Sequence, residues 1–110
     1  MPWLLCDGRR VAPLELAISL AARSRGLLGR DGIEGAILLH PTSSVHTLRM
    51  RFPIDVAFCD RDLRVIGAIT MAPNRVGRPR LGARSVLEAH ADAFQAWGLK
   101  AGSQLGIDED

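Results

Sequence analysis

The stretch Ser44-Val45-His46-Thr47-Leu48-Arg49-Met50-Arg51-Phe52-Pro53-Ile54-Asp55-Val56-Ala57-Phe58-Cys59-Asp60-Arg61-Asp62 decides how this chain is read. A polar, basic run passes through Pro53 into an apolar segment that carries one acid, Asp55, and ends in an acidic turn. Ile54 to Cys59 has the apolar, β-rich composition of a core strand. Asp60 to Leu63 supplies the turn, and Arg64 to Met71 the returning strand of a hairpin. Upstream, Val45 to Arg51 nearly alternates apolar and polar residues, which predicts extended chain.

Working outward, Trp3 to Cys6 and Arg9 to Val11 flank Asp7-Gly8, a hairpin-type pair because both residues tolerate positive φ. Leu14 to Ile18 reads as a further strand. Ser19 is a good helix N-cap, and the helix it opens runs to Gly29 or Gly32. Ala36 to Leu39 is a short apolar strand, and Pro41 to Ser44 a loop. Ala72 to Arg84, with Pro73, Gly77, Pro79 and Gly82, is a long loop. Ser85 to Ala89 is a strand, Ala91 to Trp97 a short helix capped by Gly98, and Gln104 to Ile107 a closing strand. Many short strands with two short helices predict a β-rich α+β fold, either a sandwich or a small barrel.

The length of 110 residues fits a single domain over 1–110, one that buries about 65% of its unfolded surface. Net charge is +2, too small to imply nucleic acid. Thirteen Arg stand against one Lys, a bias better explained by base composition than by binding. No segment approaches the length of a membrane span, and Met1 to Cys6 has neither the basic start nor the apolar run of a signal peptide. A cytoplasmic location is therefore expected, with Cys6 and Cys59 as free thiols.

Three motifs resemble the domain-of-unknown-function 192 family, also known as uncharacterised protein family 0127. The first is Arg25-Gly26-Leu27-Leu28-Gly29-Arg30. The second is Met50-Arg51-Phe52-Pro53-Ile54-Asp55-Val56-Ala57-Phe58. The third is Val86-Leu87-Glu88, followed by Trp97-Gly98-Leu99 and Ala101-Gly102. The likeness spans Ala22 to Ile107. The chain departs from it at Leu48, where the family often has an aromatic, and at Leu63 and Ala91-Asp92, where it often has Gly. The resemblance implies a compact β-rich domain and no particular activity.

Candidate chemistry centres on the acids of these motifs. A carboxylate beside a core is costly unless partnered, so Asp55 calls for a partner among Arg30, Arg49 and Arg51, and Glu88 poses the same problem. Arg30, His46, Arg51, Asp55 and Glu88 are the candidate ligand-binding residues. They form either a salt-bridge network or the site of a small anionic ligand, with acid/base catalysis on a small anionic substrate as a further reading. The loop arginines Arg75, Arg78, Arg80 and Arg84 have no acid among them and are candidates for phosphate or partner contact. Aromatics are absent from that loop, which speaks against single-stranded nucleic acid. His40, His46 and His90 lie in different elements, and neither a metal-binding spacing nor a Gly-rich phosphate fingerprint is present. The sequence therefore calls for no metal and no cofactor. It does not name the reaction, if there is one.

Overall fold

Every residue of the strand Ile54–Cys59 is buried, because this strand lies inside the sheet with both faces covered. The computed structural model describes residues 1–109. In chain order the elements are β1 (Pro2–Cys6), β2 (Arg9–Ala17), α1 (Leu20–Arg25), β3 (Ala36–Leu39), β4 (Ile54–Cys59), β5 (Val65–Met71), β6 (Ser85–His90), α2 (Ala93–Trp97) and β7 (Leu105–Glu109). The strands form one seven-stranded mixed sheet in the order β5-β4-β6-β3-β2-β1-β7. This is the β-rich α+β class that the sequence predicts.

Among the described strands only β2 and β3 pair in parallel. A parallel pair needs a crossover that leaves the sheet and returns. Residues 18–35 make that crossover, and α1 lies within it. The two edges of the sheet meet at one end: Val65 N donates to Ser103 O at 2.9 Å, and Leu105 N to Leu63 O at 2.9 Å. The sheet thus curls toward the small-barrel alternative.

Strand alternation sorts the core into two layers. Leu14, Leu38, Ala57, Cys59, Leu87 and Leu105 face inward with Phe94 of α2. Leu27, Ile37, Leu39, Val56, Phe58 and Val86 face the other way, under α1 and the long loops.

Local chemistry accounts for most element ends. Asp7 and Gly8 both take positive φ in the first hairpin. Ser19 Oγ accepts from Ala22 N at 3.1 Å, as an N-cap should. Four expectations need correction. Residues 9–17 form one strand rather than two, because β2 exchanges its neighbour midway: Pro13 still pairs with Trp3 of β1, and Leu14 already pairs with Ala36 of β3. The first helix stops at Arg25, well short of Gly29, because Gly26 turns the chain at φ 47° and ψ −123°. The second helix starts at Ala93, since Asp92 is left-handed at φ 76°. Residues 45–51 are not a strand. His46 alone bridges to Val76, and Met50 N folds back onto Thr47 O. The cause is the buried Thr47, whose hydroxyl donates to Ala72 O at 2.6 Å and accepts from Arg75 N at 2.8 Å. Such side-chain bonding competes with a regular ladder, and here it pins the loop after β5 against residues 45–50.

Candidate functional site

Strand β6 carries Glu88 into the layer under α1, opposite Val56 of β4. A cleft of about 320 Å³ opens there between α1 and the 41–50 segment. Its apolar wall includes Leu20, Leu27, Leu28, Leu39, Val45 and Met50, and its polar groups include Arg23, Arg25, Ser24, Thr42, His46 and Glu88. Glu88 is only 4% exposed, and its carboxyl has no hydrogen-bond or ion-pair partner among the described residues. Burial pushes its pKa up to about 7, because a charged carboxylate loses its hydration with nothing to replace it.

Arg23 presents the complementary anomaly. Its Nη1 donates to Pro41 O at 2.6 Å, yet its buried Nε–H has no partner. Buried side-chain donors without partners are uncommon and call for an explanation. Gly26 completes the floor. A Cβ there would stand 3.7 Å from Glu88 Oε1, so the glycine both makes the turn and leaves space beside the carboxyl.

The five residues predicted as one site do not come together. Asp55 faces the opposite side of the sheet from Glu88, since it pairs with Ala89 rather than with Glu88. Among the described residues no arginine pairs with it. Its Oδ1 accepts from Thr70 Oγ1 at 2.7 Å, and its Oδ2 from the backbone N–H of Phe94 at 3.1 Å. A carboxylate at the start of α2 satisfies donors that a helix cannot satisfy itself, so Asp55 docks the helix. Arg30 pairs with Glu15 at 2.7 Å and Arg51 with Asp31 at 2.9 Å, both in exposed positions away from Glu88. Arg49, the other proposed partner of Asp55, is exposed. Only His46 and Glu88 of the predicted set line the cleft.

The loop arginines divide as well. Arg75, Arg78 and Arg84 are exposed, whereas Arg80 lies over the Phe58 ring at 4.6 Å. The three histidines are separated: His40 Nδ1 is 2.7 Å from Ser85 Oγ, His46 lines the cleft, and His90 stacks on Phe52. Among the described residues no three His, Cys, Asp or Glu side chains group together. Cys6 and Cys59 are buried free thiols, and burial pushes the Cys59 thiol up to about 12. Among the described residues no helix is long and apolar enough to cross a membrane.

Sequence reading missed Arg23, Arg25 and the hydroxyls of Ser24 and Thr42. The available signal was Arg25-Gly26 within the first motif, since a glycine that ends a helix against a buried acid brings the adjoining arginines with it.

The profile of the DUF192 family, described as "Uncharacterized ACR", matches residues 4–107. The chain belongs to this family, whose function is unknown. No curated protein matches it significantly. Two solved structures share the fold. One is a protein of unknown function from Novosphingobium aromaticivorans, 22% identical, with TM-score 0.79 over 94% of this chain and 83% of that one. The other, described as a candidate transcription regulator from Sinorhizobium meliloti, is 20% identical, with TM-score 0.83 over 97% of this chain and 94% of its own.

Proposed function

We propose that this protein is a small-ligand binding domain whose cleft under α1 takes a small organic anion with an apolar body. The observation that carries this reading is that one cleft brings the unpartnered carboxyl of Glu88, in a residue only 4% exposed, together with Arg23, Arg25 and an apolar wall. An anion would accept from the guanidinium groups of Arg23 and Arg25 and from the Glu88 carboxyl in its protonated form. Its apolar part would lie against Leu27, Leu39 and Met50. Apolar walls with a few convergent polar groups are the usual form of small-molecule sites.

Binding rather than catalysis is favoured because Glu88 has no second carboxyl beside it, Asp55 being on the other face. The enzyme alternative would place acid/base work on Glu88 and His46 of the same cleft. Buried free thiols suit a reducing compartment, which supports a cytoplasmic location.

Isothermal titration with short monocarboxylates of increasing chain length, and with inorganic phosphate, tests this reading. At least one carboxylate should bind saturably, and Arg23→Ala should remove that binding. Affinity should fall by about tenfold per pH unit above the Glu88 pKa, because an ionised Glu88 repels the anion. If no anion binds with Kd below about 1 mM, or if Arg23→Ala leaves the affinity unchanged, the reading fails.

A further inference from the structure

Strand β5 stands at one edge of the sheet, and its sequence, Val-Ile-Gly-Ala-Ile-Thr-Met, contains no charge and no proline. Proteins normally blunt an edge with charges, proline, bulges or a covering segment, since an open edge pairs with other chains. Here the Val65 end is covered, through Val65 N to Ser103 O and Gly102 N to Val65 O, and Ile66 bulges where Phe58 pairs with Gly67 and Cys59 with Val65, which leaves Gly67 to Met71 as the regular part of the edge. From Ile66 to Met71 the strand has no described backbone bonds beyond its ladder with β4. Ile66 is 40% and Ile69 36% exposed.

Both flanks of this edge are shaped. On one side a groove of about 380 Å³ separates β5 from α2 and the segment after it; Ala68, Thr70, Leu99 and Lys100 line it together with Asp55 and Asp92, so this side suits the uncharged side chains of an added strand. On the other side Arg80 lies flat over Phe58, its guanidinium occupying the space a side chain on Gly67 would need. Gly67 and Phe58 are cross-strand partners, so the missing side chain lets a cation rest directly beside the open edge. Arg80 has no acidic partner among the described residues, and neither has Arg78 two residues before it.

We propose that the β5 edge, from Gly67 to Met71, is a docking strand for an extended acidic peptide segment of a partner protein. The peptide adds a strand to the sheet, its backbone taking the free N–H and C=O groups of β5. Side chains of an added strand alternate between faces. An acidic residue that comes to lie beside Gly67 meets Arg80, and small apolar residues on the opposite face enter the groove beside Ala68 and Leu99. A second copy of this chain is the poorer occupant, because antiparallel pairing of two β5 edges would bring two Arg80 guanidinium groups onto one face, and like charges across an interface disfavour it.

The probe is a fluorescein-labelled peptide of four Glu-Val repeats, titrated with the protein and read by anisotropy. Saturable binding with Kd below about 1 mM is expected. Hydrogen exchange should slow at the amides of residues 67–71 in the complex. N-methylation of alternate peptide amides, which leaves the charge intact, should weaken binding by about tenfold or more, and so should Arg80→Glu. Because Arg80→Glu also removes a ring contact, Arg78→Glu serves as a second variant, expected to weaken binding with the fold untouched. Four outcomes overturn the proposal: no binding; equal binding of the N-methylated peptide; tighter binding of an oligothymidylate of equal charge; or concentration-dependent dimerisation that itself protects residues 67–71.

Discussion

Asp55 and Glu88 lie on neighbouring strands and point to opposite faces of the sheet, because β4 and β6 pair Val56 with Glu88 and Asp55 with Ala89. That one-residue offset separates the two acids in role as well as in place. Asp55 is fully engaged and holds α2. Glu88 is buried without a partner and stands in the cleft under α1.

Replacing Asp55 by Ala therefore removes the acceptor for both Thr70 Oγ1 and Phe94 N. Leaving the buried Phe94 N–H unsatisfied costs about 1–3 kcal/mol, whereas the hydroxyl of the exposed Thr70 can turn to water. Asp55→Ala should lower stability by about 1–3 kcal/mol in urea denaturation, with Asp55→Asn losing less, since an amide oxygen still accepts. Trp97 fluorescence follows the same helix. A loss below about 0.5 kcal/mol, within the range of an ordinary surface change, would falsify this anchoring role.

The contrast between these acids also shows what a sequence can and cannot carry. The apolar run of β4, the turn at Asp7-Gly8 and the cap at Ser19 are local, and each was legible. The partners of Asp55 were not, because one is a hydroxyl and the other a backbone N–H thirty-nine residues away, while charge reasoning looks for a side chain of opposite sign. The exposure of Glu88 to a cleft depends on the β4–β6 register, which no local pattern states. Arg23 was hidden because the helix ends at Gly26, earlier than its composition suggests, and only that end brings the guanidinium under Pro41.

Gly26 offers a direct check on the cleft. Its φ of 47° with ψ of −123° suits glycine alone. Gly26→Ala should cost about 1–3 kcal/mol of stability and should weaken any ligand of the cleft, since the added methyl comes within 3.7 Å of Glu88 Oε1. Gly29→Ala is the comparison: Gly29 also has positive φ, but nothing lies within 4 Å of its added Cβ. It should destabilise the fold without changing ligand affinity.

The thiols give a test of burial. Cys6 and Cys59 each have no solvent exposure, and burial raises both pKa values. Reaction with iodoacetamide needs an accessible thiolate. Mass spectrometry at pH 8 should show an unmodified native protein and two alkylations after denaturation. Rapid labelling of either cysteine in the native state would place it nearer the surface than the fold allows.

Glu88 makes the pH dependence of stability predictable. Its pKa is about 7 in the folded chain, against 4.5 for the free group. The folded state therefore binds a proton more tightly than the unfolded state, and stability falls as pH rises from about 4.5 to about 7. Below that window Glu88 is neutral in both states and costs nothing; above it, the buried charge costs about 3 kcal/mol. Glu88→Gln keeps the shape and cannot ionise. In urea denaturation it should match the parent at pH 4 and exceed it by about 3 kcal/mol at pH 8. A variant no more stable than the parent at pH 8 would mean that Glu88 is solvated or paired in solution, and the cleft would lose the unpartnered acid on which its ligand reading rests.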